Sequence, residues 1–91
     1  MERLIKGELM EQIINFGAFG YTVKKMSYIL MWDVSEVESL LNDVSSDFHK
    51  CYMKGEHTKD YIIDEKLFDM ARSGDLKALS KFEHRVSQRK G

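Results

Sequence analysis

The chain has 91 residues, 43% of them hydrophobic, and a formal net charge of −1, which allows one small domain or two packed helical pieces and excludes a second large domain. Its single cysteine excludes an intramolecular disulfide, and no apolar run has the length of a signal segment or membrane span, so the sequence reads as soluble and intracellular. After Ala71, six basic residues face only Asp75 and Glu83, a local charge of +4 that leaves −5 for the remainder, so any polyanion contact is expected to be local.

Proline is absent, and the glycines therefore punctuate the helices. Ile5, Leu9, Ile13 and Phe16 recur at helical spacing, widened by Met10 and Ile14, which predicts a first helix from about Glu2 to Phe16, closed by Gly17 and Gly20. Thr22 caps a short second helix with Val23, Met26 and Leu30 on its apolar face, ending near Met31. Trp32-Asp33-Val34 is the turn.

Ser35-Glu36-Val37-Glu38 matches the capping box, so a third helix is expected to start there. Its stripe runs through Val37, Leu40, Leu41, Val44, Phe48 and Tyr52, with room for a bend at Ser45 and Ser46 and an end at Gly55. The polar segment 55–60 reads as a linker. Beyond it, Ile63, Leu67, Met70 and Ala71 mark one helical face, while Tyr61, Ile62 and Phe68 add apolar surface beyond what one packing partner needs. Gly74 and Asp75 supply a helix stop and a helix start, and Leu76, Leu79, Phe82 and Val86 define the last helix.

The expected fold is therefore all-α: an N-terminal trihelical helix-turn-helix unit over 1–54, a linker over 55–60, and a C-terminal helical hairpin over 61–91 that carries a basic tail. Met26, Leu30, Trp32, Val37 and Leu40 lock the two motif helices, with Ser27 as the small residue between them and Met31 where a turn glycine is common. The exposed start of the third helix offers Ser35, Glu36, Glu38, Ser39 and Asn42 to a groove. Its glutamates oppose phosphates, and no Arg or Lys is there to grip guanine. Lys24 and Lys25 suit a phosphate backbone or a solvated surface. Lys77, Lys81, Arg85 and Arg89 repeat every fourth residue along the last helix; they read either as a track for phosphates or as a solvated face complementing the helix dipole. Tyr61, Ile62 and Phe68 are the candidate subunit contacts.

The order of elements, a helix-turn-helix, then Tyr52-x-x-Gly55, then Ala71-x-x-Gly74-Asp75-x-x-Ala78-Leu79, resembles the small subunit of bacteriophage terminases. The resemblance spans about Gly20 to Arg85. It implies recognition of viral DNA for packaging, assembly into a ring-like homo-oligomer, and delivery of DNA to a terminase large subunit, in the cytoplasm of a bacterial host. The acidic third helix and the short chain depart from that pattern. The alternatives are a small helical protein-interaction module and a helix-turn-helix regulator with no packaging role.

No enzymatic constellation stands out, and neither a metal nor a cofactor is expected. His49 and Cys51 fall on nearly opposite helix faces, and His57 lies beyond Gly55. Cys51 reads as a small buried apolar group. Asp43 with Asp47, and Asp60 with Asp64, are a helical turn apart but lack any pocket motif. Gly17-Ala-Phe-Gly20 lacks the lysine and strand of a phosphate loop. Trp32 suits a core plug between helices.

Overall fold

The computed structural model describes residues 3–90, and among these the only regular elements are five α-helices. They are α1 (Glu8–Phe19), α2 (Val23–Leu30), α3 (Val34–Asn42), α4 (Asp47–Arg72) and α5 (Leu76–Lys90). Contacts divide the chain into two units between Thr58 and Lys59, within the segment expected to be a linker. That segment is helical, because α4 runs unbroken through Gly55 and residues 55–60.

In the first unit, α1 starts later than expected, at Glu8, and Glu2 lies outside the described residues. Gly17 is inside α1. The helix ends at Gly20, whose φ of 70° lets its N–H reach the Gly17 carbonyl while Tyr21 N–H reaches that of Phe16. Thr22 caps α2 as expected, its hydroxyl oxygen accepting from Lys25 N–H at 3.2 Å. The capping box of Ser35 and Glu38 does not form, because α3 begins at Val34 after Asp33 and Ser35 already lies inside the helix.

The long third helix of the sequence reading is two helices. Asp43 Oδ1 accepts from both the N–H and the hydroxyl of Ser45, which turns the chain. Ser46 then donates its hydroxyl to the Leu40 carbonyl and accepts from His49 N–H at 3.0 Å, opening α4. Breaking the helix here displaces Val44 from the predicted stripe and leaves it exposed.

Ile5, Ile13, Phe16, Met26, Val37, Phe48 and Cys51 form the core, so the apolar spacings of α1, α2 and α3 face one another as expected. Trp32 packs 6.2 Å from Phe48 between ring centroids, and Ser27, buried, donates to the Trp32 carbonyl. Gly55 sits where α4 crosses α1: a Cβ there would lie 1.7 Å from the Ile14 carbonyl oxygen. It permits main-chain contact rather than ending a helix. Tyr52, one turn earlier, donates its hydroxyl to the Tyr21 carbonyl at 2.9 Å.

The second unit is the end of α4 and α5, joined through Gly74 at φ 105°. Gly74 N–H reaches the Ala71 carbonyl, Asp75 N–H reaches that of Met70, and Asp75 Oδ1 accepts from Lys77 and Ala78 N–H at 3.0 Å. This is the stop and start expected of the pair. The predicted apolar stripes fare less well. Met70, Leu76 and Leu79 are exposed, and Ala78 is the one fully buried side chain among the described residues of this unit. Phe68 and Phe82 pack across the hairpin with ring centroids 5.4 Å apart and planes tilted by 46°.

Candidate nucleic-acid and assembly surfaces

The residues singled out for DNA contact fall in both units. In the first, Lys24 and Lys25 are exposed at the start of α2, and the Lys25 ammonium lies 4.1 Å from the centroid of the Tyr21 ring. Ser35, Ser39 and Asn42 are exposed on α3. They share that surface with Glu38, but the charge of Glu36 is answered locally.

Arg3 Nε donates to Glu36 Oε2 at 2.7 Å and its Nη2 to Oε1 at 3.1 Å, while the guanidinium carbon lies 4.3 Å from the Trp32 ring centroid. Burial of Ile5 in the core holds this segment across the α2–α3 turn. The hydrogen bond from Arg3 lowers the pKa of the Glu36 carboxyl and raises that of the guanidinium. One of the two glutamates that made α3 look repulsive to phosphate is therefore neutralised, by a residue 33 positions away in sequence.

In the second unit, the basic track on α5 is divided. Lys77 and Lys81 are exposed. Arg85 instead donates to Asp64 at 2.6 Å and approaches Asp60 at 3.5 Å, and Arg89 lies 2.6 Å from the other Asp64 oxygen. The Arg85 hydrogen bond, with that of Arg89, holds the Asp64 carboxyl below its ordinary pKa. These arginines thus tie α5 to α4. Asp60 and Asp64, considered above as a carboxylate pair, are their partners.

Tyr61, Ile62 and Phe68, the expected subunit contacts, are exposed. Tyr61, Phe68 and Phe82 line an open groove of about 490 Å³ bordered by Asp64, Glu65, Asp69 and Arg72. Cys51 is buried, and burial pushes its thiol pKa up. His49 Nδ1 is 2.6 Å from the Leu41 carbonyl, and the described residues contain no cluster of His, Cys, Asp and Glu suited to a metal. Nor is any described helix long and apolar enough to cross a membrane.

No protein-family model, curated protein or solved structure matches the chain.

Proposed function

We propose that the protein binds DNA through its helix-turn-helix unit and assembles through its C-terminal hairpin, serving as the DNA-recognition component of a packaging machine in the manner of a terminase small subunit. The observation that carries the reading is the Arg3–Glu36 pair. It offsets the charge of Glu36 near the start of α3, where Ser35, Ser39 and Asn42 are exposed, as Lys24 and Lys25 are on α2. Lysines position a phosphate backbone, and small polar side chains address base edges.

A single unit offers few cations, so affinity would come from several copies on one DNA, each supplying weak contacts that the others make effectively intramolecular. Arg85 and Arg89 are given to the hairpin in this reading and not to DNA. A large subunit that hydrolyses ATP would be the further partner. The exposed hairpin equally favours a second reading, an interaction module that docks another protein and has no DNA role.

Binding to duplex DNA across a salt series separates the two. The first reading expects binding at low ionic strength that weakens steeply with salt, and K24A/K25A should lower the log–log slope by about two per bound subunit if both lysines contact phosphate. Absence of binding by the intact protein at low salt would leave only the interaction module.

A further inference from the structure

The turn between α1 and α2 gathers aromatic rings and cations on the first unit. Gly20, in the left-handed conformation, folds Tyr21 back so that its N–H reaches the Phe16 carbonyl at 3.0 Å. Tyr52 of α4 donates its hydroxyl to the Tyr21 carbonyl at 2.9 Å. The Tyr21 ring is thereby fixed, 5.7 Å from the buried Phe16 ring and 5.4 Å from that of Phe19 between centroids, with the Lys25 ammonium 4.1 Å away. Thr22 caps the first turn of α2, which carries no acidic residue.

Two rings of this neighbourhood are left in water. Phe19 is 63% exposed at the end of α1, and Tyr28 is 74% exposed one helical turn after Lys24. Neither belongs to the hydrophobic core of the unit. Phe19 is joined to Lys25 through Tyr21, and Tyr28 to Lys24 by the i, i+4 spacing, so each exposed ring has an ammonium group nearby. Among the described residues, neither lysine forms an ion pair. A phenyl ring has no hydrogen-bonding group, so Phe19 can recognise only an apolar or π surface, whereas the lysines recognise an anion. A nucleotide carries both. In a duplex the bases are stacked on one another and offer only their edges in the grooves, but an unpaired base offers its face.

We propose that Phe19 and Tyr28 are stacking platforms for unpaired nucleobases, with Lys25 and Lys24 holding the adjoining phosphates, so that the first unit binds single-stranded nucleic acid. This rests on the proposed role of the two lysines as phosphate contacts, but it requires neither α3 in a groove nor assembly through the hairpin. Every base has a π face, so stacking here gives affinity with little sequence preference.

Fluorescence anisotropy of the full chain is the test, with labelled oligothymidylate about 12 nucleotides long, an abasic strand of the same length and a duplex. Oligothymidylate should bind at low ionic strength, and the abasic strand, which keeps the phosphates, should bind at least about fivefold more weakly. F19L/Y28L retains apolar bulk but removes both π faces. With helicity preserved by circular dichroism, it should lose at least about fivefold for oligothymidylate while its duplex affinity stays within about twofold. K24A/K25A should weaken both and lower the single-strand log–log salt slope by about 1.4. If the duplex binds but oligothymidylate does not, or if helical F19L/Y28L binds oligothymidylate as tightly as the parent, the stacking surface is wrong and the duplex reading stands. An abasic strand that binds as tightly as oligothymidylate would overturn stacking whatever the helicity of the variant. If oligothymidylate binds with the expected losses and the duplex does not bind, the duplex reading is the one overturned. No binding of either at low salt would overturn both and leave the exposed rings to a protein partner.

Discussion

The main chain of Tyr52 in α4 lies so close to Gly17 in α1 that a Cβ on the glycine would stand 1.8 Å from the Tyr52 carbonyl oxygen. Gly55 repeats the relationship one turn later, against Ile14 and Ala18. The helices therefore meet backbone to backbone, and both glycines are buried. Alanine at either position must force α1 and α4 apart, because the atom it meets is main chain and not a movable side-chain tip.

Gly17→Ala and Gly55→Ala should accordingly destabilise the first unit by about 3 kcal/mol or more. The sign discriminates. Within a helix, replacing glycine by alanine would otherwise stabilise by about 1 kcal/mol from propensity alone. Chemical denaturation followed by circular dichroism measures the difference, and a variant as stable as the parent would show that the helices do not touch at these positions.

Met31 ends α2 with φ 59° and ψ 41°, the left-handed conformation that glycine adopts at such turns, and its side chain is 89% exposed. It is the only described non-glycine residue with positive φ. Nothing is lost from the core if the side chain is removed, while the left-handed strain of about 1–2 kcal/mol is relieved. Offset by the extra freedom of glycine in the unfolded chain, Met31→Gly should raise stability by about 0.5–1 kcal/mol. A fall in the denaturation midpoint would mean that Met31 makes a contact that its exposure does not reveal.

The left-handed Met31 was visible in the sequence only as an irregularity, a methionine where a turn glycine is common. Local patterns were most legible where a residue acts on its own neighbours: Thr22 capping α2, Gly74 stopping α4 and Asp75 starting α5 depend on bonds spanning a few residues. The core spacings of Ile13, Phe16, Met26 and Val37 were legible for the same reason, since period sets the buried face. Gly55 misled because a glycine ending a helix and a glycine admitting another helix have the same letter. Only the position of Ile14 distinguishes them. Ser45 and Ser46 signalled a bend, but the full break needed Asp43 and Leu40 as partners.

The candidate surfaces follow the same division. Exposed Lys24, Lys25, Tyr61, Ile62 and Phe68 could be named from helical period. The pairing of Glu36 with Arg3, and of Arg85 and Arg89 with Asp60 and Asp64, could not, because those pairs join separate segments and no periodicity links them. A fourth-residue repeat of basic side chains on α5 is continuous in sequence but electrostatically divided in space. The helix dipole account of Arg85 and Arg89 does not require these carboxylates, yet the observed contacts are to them.

Burial of Cys51 beneath the α1–α4 crossing makes its thiol a reporter of the first unit. It is 4% exposed, and burial raises its pKa, so both access and thiolate fraction are low in the folded chain. Alkylation at neutral pH should be slow and should accelerate with denaturant in step with loss of helicity. Gly55→Ala, which opens the same crossing, should accelerate it without denaturant. Rapid labelling of the folded parent protein would contradict the packing described for Cys51.

The hairpin should loosen in acid, and the sign follows from Asp64. Its carboxyl pKa is lowered in the folded chain by the hydrogen bonds from Arg85 and Arg89 and by their charge, so near the ordinary carboxylate range, about 3.9, the unfolded chain binds more protons than the folded one. The stabilisation is therefore fully present above that value and is lost as pH falls through the lower, folded pKa. Glu36, lowered by Arg3, contributes in the same direction in the first unit. Thermal melts from neutral pH downward should show a declining midpoint once pH drops below about 4. Asp64→Asn should lower the midpoint at neutral pH, where the carboxylate is charged, and flatten the acid limb, because the variant has no proton to take up there. An acid limb of unchanged steepness in Asp64→Asn would mean that the contacts of Arg85 and Arg89 with Asp64 do not contribute to holding the hairpin together.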